Sequence, residues 1–125
     1  MAFENVCCKV PGLTAAADLS TAQYKFVKLT AAEQVNIATS LGEAVVGVLQ
    51  NKPAGAGHAA EIAVDGSVSK VLAGAPVTAG AYVTTDATAR AVAAGAGENR
   101  VGLALNGAGA AGQLISVLLG NKGHA

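Results

Sequence analysis

The chain has 125 residues, enough for one domain, and its eight basic residues balance its eight acidic ones. Because the charges are balanced and scattered, the chain has no basic cluster that could bind a phosphate backbone, and we expect no nucleic-acid partner. Hydrophobic residues make up 52% of the chain but aromatic residues only 3%, so close backbone packing must replace bulky side chains in the core.

The first 24 residues differ from the rest of the chain in the spacing of their apolar residues. Their apolar residues have an irregular spacing that fits neither a strand nor a helix, and Pro11-Gly12 indicates a turn. We interpret residues 1–24 as an extended N-terminal arm that docks on a partner, separate from a β domain at 25–125. The alternative is that the segment wraps around its own core or frays. The side chains expected to contact the partner are Phe3, Val6, Val10, Leu13 and Leu19.

The N-terminal residues also bear on where the protein is made. Cys7 and Cys8 are adjacent, and disulfide geometry is hard to satisfy between neighbours, which indicates free thiols in a protein made in the cytosol. No basic stretch followed by an apolar run begins the chain, so we expect no signal peptide. Residues 101–121 are uncharged, but five glycines and several polar side chains in this stretch argue against a membrane span.

From residue 25 onward the residue pattern is typical of short strands. Strand-like runs occur at 25–29, 35–37, 43–49, 62–64, 68–72, 81–84, 90–92, 101–105 and 114–119. Short strands at intervals of about ten residues are typical of an antiparallel sandwich or barrel. The sequence therefore predicts a mainly all-β fold, a compact antiparallel β-barrel or sandwich, with at most one or two short helices.

One pattern occurs twice in the chain. Residues 46–51 return 55 positions later as residues 101–106, and both copies begin Val-Gly and end in Asn. Each copy then runs through a Gly/Ala-rich loop into a second apolar run, which predicts two related strand-loop-strand units at 46–64 and 101–119. Gly47 and Gly102 are the structural positions of this pattern. Neither unit carries an acid, base or nucleophile at a matching position, so the repeat indicates a scaffold.

The best local turn signal in the chain follows the first of these units. Asp65 and Gly66 lie between the β-prone runs 62–64 and 68–72. Asp-Gly in this setting favours a tight turn with positive φ at the glycine, and we expect a hairpin here.

The sequence predicts no chemistry. Residues 107–112 match the dinucleotide pattern GxGxxG, but only 13 residues follow and none is acidic, so the ribose contact and the βαβ unit are missing. His58 and His124 lack the cysteine or carboxylate neighbours of a zinc site. His58 with Glu61 and Asp65 shows no arrangement of nucleophile, base and orienting group. We expect no catalytic residue, no metal and no cofactor, and predict that the protein is not an enzyme.

Four stretches of the chain, residues 45–53, 63–71, 77–86 and 100–105, resemble a known family. They are similar to small proteins that are encoded beside the major capsid protein in tailed bacteriophages and prophages, and that serve as capsid decoration (cement) or head proteins. The resemblance covers roughly residues 25–119 and consists of turn-and-strand patterns. One departure is Ala89, where we expect a glycine in the turn.

The resemblance implies a structural virion protein that binds the outside of a phage capsid and stabilises it by bridging major capsid protein subunits. It also implies synthesis in the host cytoplasm and a homo-oligomer, expected to be a trimer, without a membrane partner. One alternative is another phage head or tail component, such as the base of a head fibre. Another is a small β-barrel ligand-binding module, which would need exposed aromatic platforms from a chain whose aromatic residues are Phe3, Tyr24, Phe26 and Tyr82.

Overall fold

The computed structural model describes residues 2–10, 12–120 and 123; Pro11 and His124 lie outside this described part. Its regular elements are all strands, so the predicted all-β class is confirmed and no helix forms in the described ranges. Accordingly, these ranges contain no helix with the length and apolar character needed to cross a membrane. In chain order the strands are β1 (Lys9–Val10), β2 (Thr14–Ala15), β3 (Phe26–Ala31), β4 (Gln34–Ile37), β5 (Gly47–Leu49), β6 (Ile62–Ala63), β7 (Val68–Leu72), β8 (Tyr82–Thr85), β9 (Ala91–Ala93), β10 (Gly102–Ala104) and β11 (Leu114–Leu119).

The strands form two sheets, with the orders β1-β6-β5-β3-β4-β2 and β7-β11-β10-β8-β9. Strand pairing is antiparallel except between β2 and β4. The main core cluster contains Phe26 and Val48 from the first sheet and Val83 and Val117 from the second. The sheets therefore pack as a β-sandwich. Of the two predicted architectures the sandwich is the one observed, since the sheets do not close into a barrel.

The two sheets have the same topology. Replacing β1, β3, β4, β5 and β6 by β7, β8, β9, β10 and β11 converts the first order into the second, apart from the additional β2. Even β2 has a counterpart, because a parallel bridge joins Ala73 to Ala91 beside β9. The chain is therefore an internal duplication, with a first half (β1–β6) and a second half (β7–β11).

Backbone register and hydrogen bonds agree between the halves. Val27 lies opposite Gly47 in the first half as Val83 lies opposite Gly102 in the second. Several longer-range backbone bonds recur at equivalent positions. They include Ala38 N to Phe26 O (3.1 Å) with Ala94 N to Tyr82 O (2.9 Å), and Leu19 N to Pro53 O (2.8 Å) with Val77 N to Ala108 O (2.9 Å). The duplication therefore extends well beyond the two strand-loop-strand segments that the sequence indicates.

Positive φ angles recur at equivalent turns. The pairs are Tyr24 (66°) with Gly80 (88°), Glu33 (57°) with Ala89 (65°), Gly42 (75°) with Gly97 (77°), and Gly57 (84°) with Gly112 (90°). Ala89 thus adopts the left-handed conformation that glycine usually supplies, at an energetic cost to a residue with a Cβ.

The segments 46–64 and 101–119 close their loops in the same way. The Oδ1 of Asn51 accepts a bond from the Glu61 N–H (3.0 Å), and the Oδ1 of Asn106 accepts one from the Ser116 N–H (2.9 Å). Both asparagines thus hold a backbone amide ten residues further along. In each segment the chain forms an antiparallel strand pair, β5 with β6 and β10 with β11.

The glycines of this pattern allow a close approach between strands. A Cβ at Gly47 would collide with the carbonyl oxygen of Ala63, and one at Gly102 would collide with the Val117 side chain and approach the Leu118 carbonyl oxygen to 2.9 Å. Any side chain here would therefore push the paired strands apart.

The turn at Asp65-Gly66 forms, but the predicted hairpin is wrong. Gly66 has a φ of 97° and the Ser67 N–H donates to the Val64 carbonyl at 3.1 Å. Asp65 does not have positive φ, so the turn is of type II rather than the type I′ that matches the twist of a two-residue hairpin. The flanking strands pair elsewhere, β6 with β1 and β5, and β7 with β11. The turn therefore carries the chain from one sheet to the other.

Candidate binding surfaces

The N-terminal segment (residues 3–10) lies across both halves. Two buried serine hydroxyls each bind the backbone of one residue in it. Ser116 Oγ accepts from the Phe3 N–H (2.6 Å) and donates to the Phe3 carbonyl (2.7 Å). Ser67 Oγ accepts from the Cys8 N–H and donates to the Cys8 carbonyl, both at 3.1 Å. Asn5 pairs with Val68 between these two points, and β1 then joins the first sheet. Hydrogen bonds to its backbone therefore fix much of this segment on the sandwich.

The five predicted contact residues have different environments. Leu13 and Leu19 are buried in the core of the first half, and Val10 packs against the same cluster. Val6 is partly buried against the main core cluster. Phe3, by contrast, is 52% exposed. The role of these residues in binding a partner and the division at residue 24 stay predictions, and in this conformation Phe3 is the most accessible of the five.

Cys7 and Cys8 lie on the exposed side of this segment as free thiols. Their Sγ atoms are 3.1 Å apart, and Cys7 Sγ also contacts the Gly66 carbonyl at 3.3 Å. The hydrogen bond with Cys8 and the contact with the Ser67 hydroxyl lower the pKa of Cys7, whereas the hydrogen bond with Cys7 raises the pKa of Cys8. The pair thus has one thiol that ionises more readily than the other.

Two equivalent hairpins have opposite environments. The second hairpin (β8–β9, tip at 85–89) packs on the first half, where the Thr85 carbonyl accepts from the Gly42 N–H and the Ala89 carbonyl from the Phe26 N–H, both at 2.9 Å. Thr85 and Ala89 are fully buried there. In the first hairpin (β3–β4, tip at 29–33) the whole tip is exposed, and Leu29 is 55% exposed. The first hairpin is therefore an accessible projection with one large apolar side chain, Leu29.

The second hairpin packs on a surface of the first half that contains Phe26 and Gly42. The equivalent surface of the second half is accessible. Tyr82 corresponds to the fully buried Phe26 and is 44% exposed. Gly97 corresponds to the buried Gly42 and is exposed. The Arg100 guanidinium lies 5.0 Å from the centre of the Tyr82 ring, a cation–π contact. Sequence reasoning missed this surface, because it can be recognised only by comparison with the equivalent surface of the first half. The one signal in the sequence is the spacing of 56 positions between equivalent aromatic residues, Phe26 and Tyr82.

Two polar side chains in the region 58–67 have structural partners. Glu61 bonds to Lys9 Nζ at 3.0 Å, and Ser67 is buried against Cys8. Within the described ranges, no three His, Cys, Asp or Glu side chains are grouped so as to hold a metal ion. The cavity beside Phe26 and Gly47 has a volume of about 60 Å³, far below the ~300 Å³ at which small-molecule sites begin. An open groove of about 500 Å³ lies between β1 and residues 57–61, and its charged lining residues are the paired Lys9 and Glu61.

Comparison with known proteins gives a family and a fold. A family model described as phage cement protein matches residues 11–119. The solved structure of the N base of the head fibre gp8.5 in bacteriophage phi29 is similar with a TM-score of 0.73 and 16% sequence identity, covering 94% of this chain and 100% of that one. At this identity the similarity establishes the fold alone. No curated protein sequence gives a significant match.

Proposed function

The chain belongs to the phage cement protein family and is a phage capsid structural protein, and we propose that it binds the outside of the capsid and stabilises it by bridging major capsid protein subunits. The observation that carries the proposal is the family match over residues 11–119. The β-sandwich, whose two sheets share one core cluster, provides the compact body that such a role needs.

Stabilisation of this kind follows from binding alone. A protein that binds the assembled shell but not its separated subunits shifts the assembly equilibrium towards the shell by mass action. A capsid repeats the same site many times, so modest affinities add up when each copy bridges two subunits. The chain has a net charge of zero, so long-range electrostatic attraction contributes little, and apolar contact is the expected source of affinity.

We propose that the N-terminal segment makes part of the capsid contact, as the arm in front of a β body. Phe3 is half exposed and anchored through its backbone to Ser116, which presents its ring at low conformational cost. Burying the ring against the shell gains about 25 cal/mol for each Å² removed from water. Val6 and Val10 extend the apolar surface, while Leu13 and Leu19, which follow the segment along the chain, are buried in the core.

The proposal also includes a location on the virion exterior, synthesis in the host cytoplasm and a homotrimer. Oligomerisation suits this chain because its aromatic content is only 3%, which limits what a single copy gains from its own core. A trimer would present three N-terminal segments to neighbouring capsid subunits at once.

Co-sedimentation with capsids that lack the protein tests the proposal. We expect the full chain to sediment with capsids and a Phe3→Ser variant to need a several-fold higher concentration for half-saturation. Leu114→Ser, which also removes a partly exposed apolar side chain, is the matched control and should bind as the unmodified chain does. If the full chain fails to sediment with capsids, the capsid-binding proposal is wrong. If Phe3→Ser binds equally well, the contact comes from the β body.

A second candidate function is the base of a head fibre. The structural similarity to the phi29 head fibre N base, which covers the whole of that chain, favours it. Cryo-EM of decorated capsids separates the two candidates, because a cement protein gives compact density on the shell and a fibre base carries a protruding fibre.

A further inference from the structure

Internal duplication makes one contact in this chain informative about another. The second hairpin covers the first half, where its Ala89 carbonyl binds the Phe26 N–H and its Thr85 carbonyl binds the Gly42 N–H. By strand register, Thr85 corresponds to Leu29. The same offset of 56 positions relates Ala89 to Glu33, and both have positive φ.

Each side of this contact has an exposed equivalent elsewhere in the chain. The first hairpin is exposed from Leu29 to Glu33, whereas Thr85 and Ala89 are buried. Tyr82 and Gly97 are exposed, whereas Phe26 and Gly42 are buried. One chain therefore carries one complete copy of the contact and an exposed hairpin and an exposed surface in the equivalent positions of a second. The Glu33 carbonyl already accepts from the Thr14 N–H (2.9 Å), so what a second contact can repeat is the placement of the hairpin and not the bond that Ala89 makes.

We propose that the first hairpin of one copy docks on Tyr82 and Gly97 in the second half of another copy, in the position that the second hairpin takes on the first half within each chain. This rests on the proposed function in that it supplies the interface for the proposed homo-oligomer. The occupant is a second copy, because the contact inside each chain shows that a hairpin of this backbone geometry fits this position, and the first hairpin has the same geometry.

The substitutions between the two versions fit an interface between chains. The internal version brings together Phe26 and Ala89, which are both apolar and buried. The intermolecular version brings Glu33 towards Tyr82, which carries Arg100 over its ring. The acidic tip then meets an arginine and an aromatic ring, while the Glu98 carboxylate beside Gly97 is bound to the Gly95 N–H. This is a polar variant of the same geometry that is suited to separately soluble partners.

The contact joins two different surfaces, so it is head-to-tail. Such an interface forms a closed ring when the rotation between copies closes, and it does not form a two-fold dimer through identical patches. This property makes the proposal distinguishable from a generic apolar association.

Thiol cross-linking tests the contact in the full chain with Cys7 and Cys8 changed to serine. Glu33→Cys and Tyr82→Cys are prepared as separate proteins and treated with a short bismaleimide, which adds across one thiol from each chain. We expect a covalent dimer when the two proteins are mixed and little from either alone. The chain that carries both substitutions should give a series of bands ending at the closed ring, with three chains for a trimer. No dimer in the mixture, or equal dimer from either protein alone, would overturn the proposal.

Light scattering gives a second test that needs no cross-linker. Leu29→Asp should reduce the oligomer to a monomer at tens of micromolar. Leu41→Asp is the matched control, because Leu41 is 57% exposed against 55% for Leu29 and adjoins Gly42, whose docking position is already filled within the chain. A monomeric unmodified chain, an unchanged mass for Leu29→Asp, or equal loss in both variants would contradict the inference. Both tests measure self-association in the absence of capsids. A chain that self-associates in this way but fails to sediment with capsids would therefore refute the proposed function and not this interface.

Discussion

The two halves of the molecule share a backbone and differ in almost everything attached to it. Equivalent turns keep their positive φ even where the residues are as unlike as Tyr24 and Gly80. The loop asparagines, Asn51 and Asn106, and the close-approach glycines, Gly47 and Gly102, are kept in both halves. The comparison teaches that a few backbone devices specify this five-stranded unit, while the remaining side chains are free to set what each half contacts.

The largest expected effect compares the two close-approach glycines. Gly47→Ala should destabilise the protein by about 3 kcal/mol, because the added Cβ meets the backbone oxygen of Ala63, which cannot move without breaking the strand pair. Gly102→Ala should cost less, about 2 kcal/mol, because its nearest neighbour is the Val117 side chain, which can shift, and the backbone oxygen that it meets, of Leu118, is farther away at 2.9 Å. Urea unfolding measures both. Gly55→Ala is the control, since its nearest neighbour is the His58 side chain at 3.7 Å, and a loss there equal to that of Gly47→Ala would show that loss of glycine itself is the cause.

The loop asparagines offer the next comparison. Asn51→Ala and Asn106→Ala should each destabilise by about 1–2 kcal/mol, because each leaves a backbone amide, of Glu61 or Ser116, without its partner. The Asn106 bond is the more buried of the two, so its loss should cost at least as much. Thermal unfolding checks this, and a neutral effect in either half would mean that the two loops are not closed by the same device.

The loops after β4 and β9 differ in the partners of an equivalent carboxylate. Glu98 accepts a bond from the Gly95 N–H, whereas Glu43 accepts bonds from Thr39 and Ser40 and also contacts Lys28 Nζ at 3.4 Å. Burial raises the pKa of Glu43, but these hydrogen bonds and the lysine charge outweigh it and leave the pKa lowered from 4.5.

A lowered pKa in the folded state has a defined sign. The stability from the Glu43 charge is present above pH 4.5 and is lost as the pH falls through the lowered folded-state value. Glu43→Gln should therefore be less stable than the unmodified chain at pH 7, and the difference in unfolding free energy should shrink below pH 4.5. A difference of the same size at pH 7 and at pH 3 would show that the charge contributes nothing.

The smallest expected effect concerns the hairpin tips. Glu33→Gly should stabilise by about 0.5 kcal/mol, because glycine adopts positive φ without the cost that a Cβ imposes, less its own larger loss of backbone entropy. Ala89→Gly should gain less, since it also removes a buried methyl group. Melting temperatures of the two variants give the order, and a greater gain at Ala89 would contradict the assignment of the second hairpin as the tightly packed one.

The sequence predicts part of this duplication and misses the rest for physical reasons. The Val-Gly start and terminal Asn recur because Gly47 and Asn51 have roles that few other residues can fill. Phe26 and Tyr82, or Glu33 and Ala89, are equivalent only in backbone geometry, which leaves little trace in residue type. The Asp65-Gly66 signal gives the correct φ but not the pairing of the flanking strands, since strand partners are set by long-range contacts. For the same reason the irregular spacing around Leu13 and Leu19 does not predict their burial.

Calorimetry of capsids with and without the protein tests the central claim most directly. When capsids that lack the protein are saturated with it, the temperature at which the shell unfolds should rise, because a ligand that binds only the assembled shell stabilises it. The Leu29→Asp variant should give a smaller rise if the copies act together. A shell transition that stays at the same temperature while the protein is bound would contradict the account, because the protein would then occupy the capsid without cementing it.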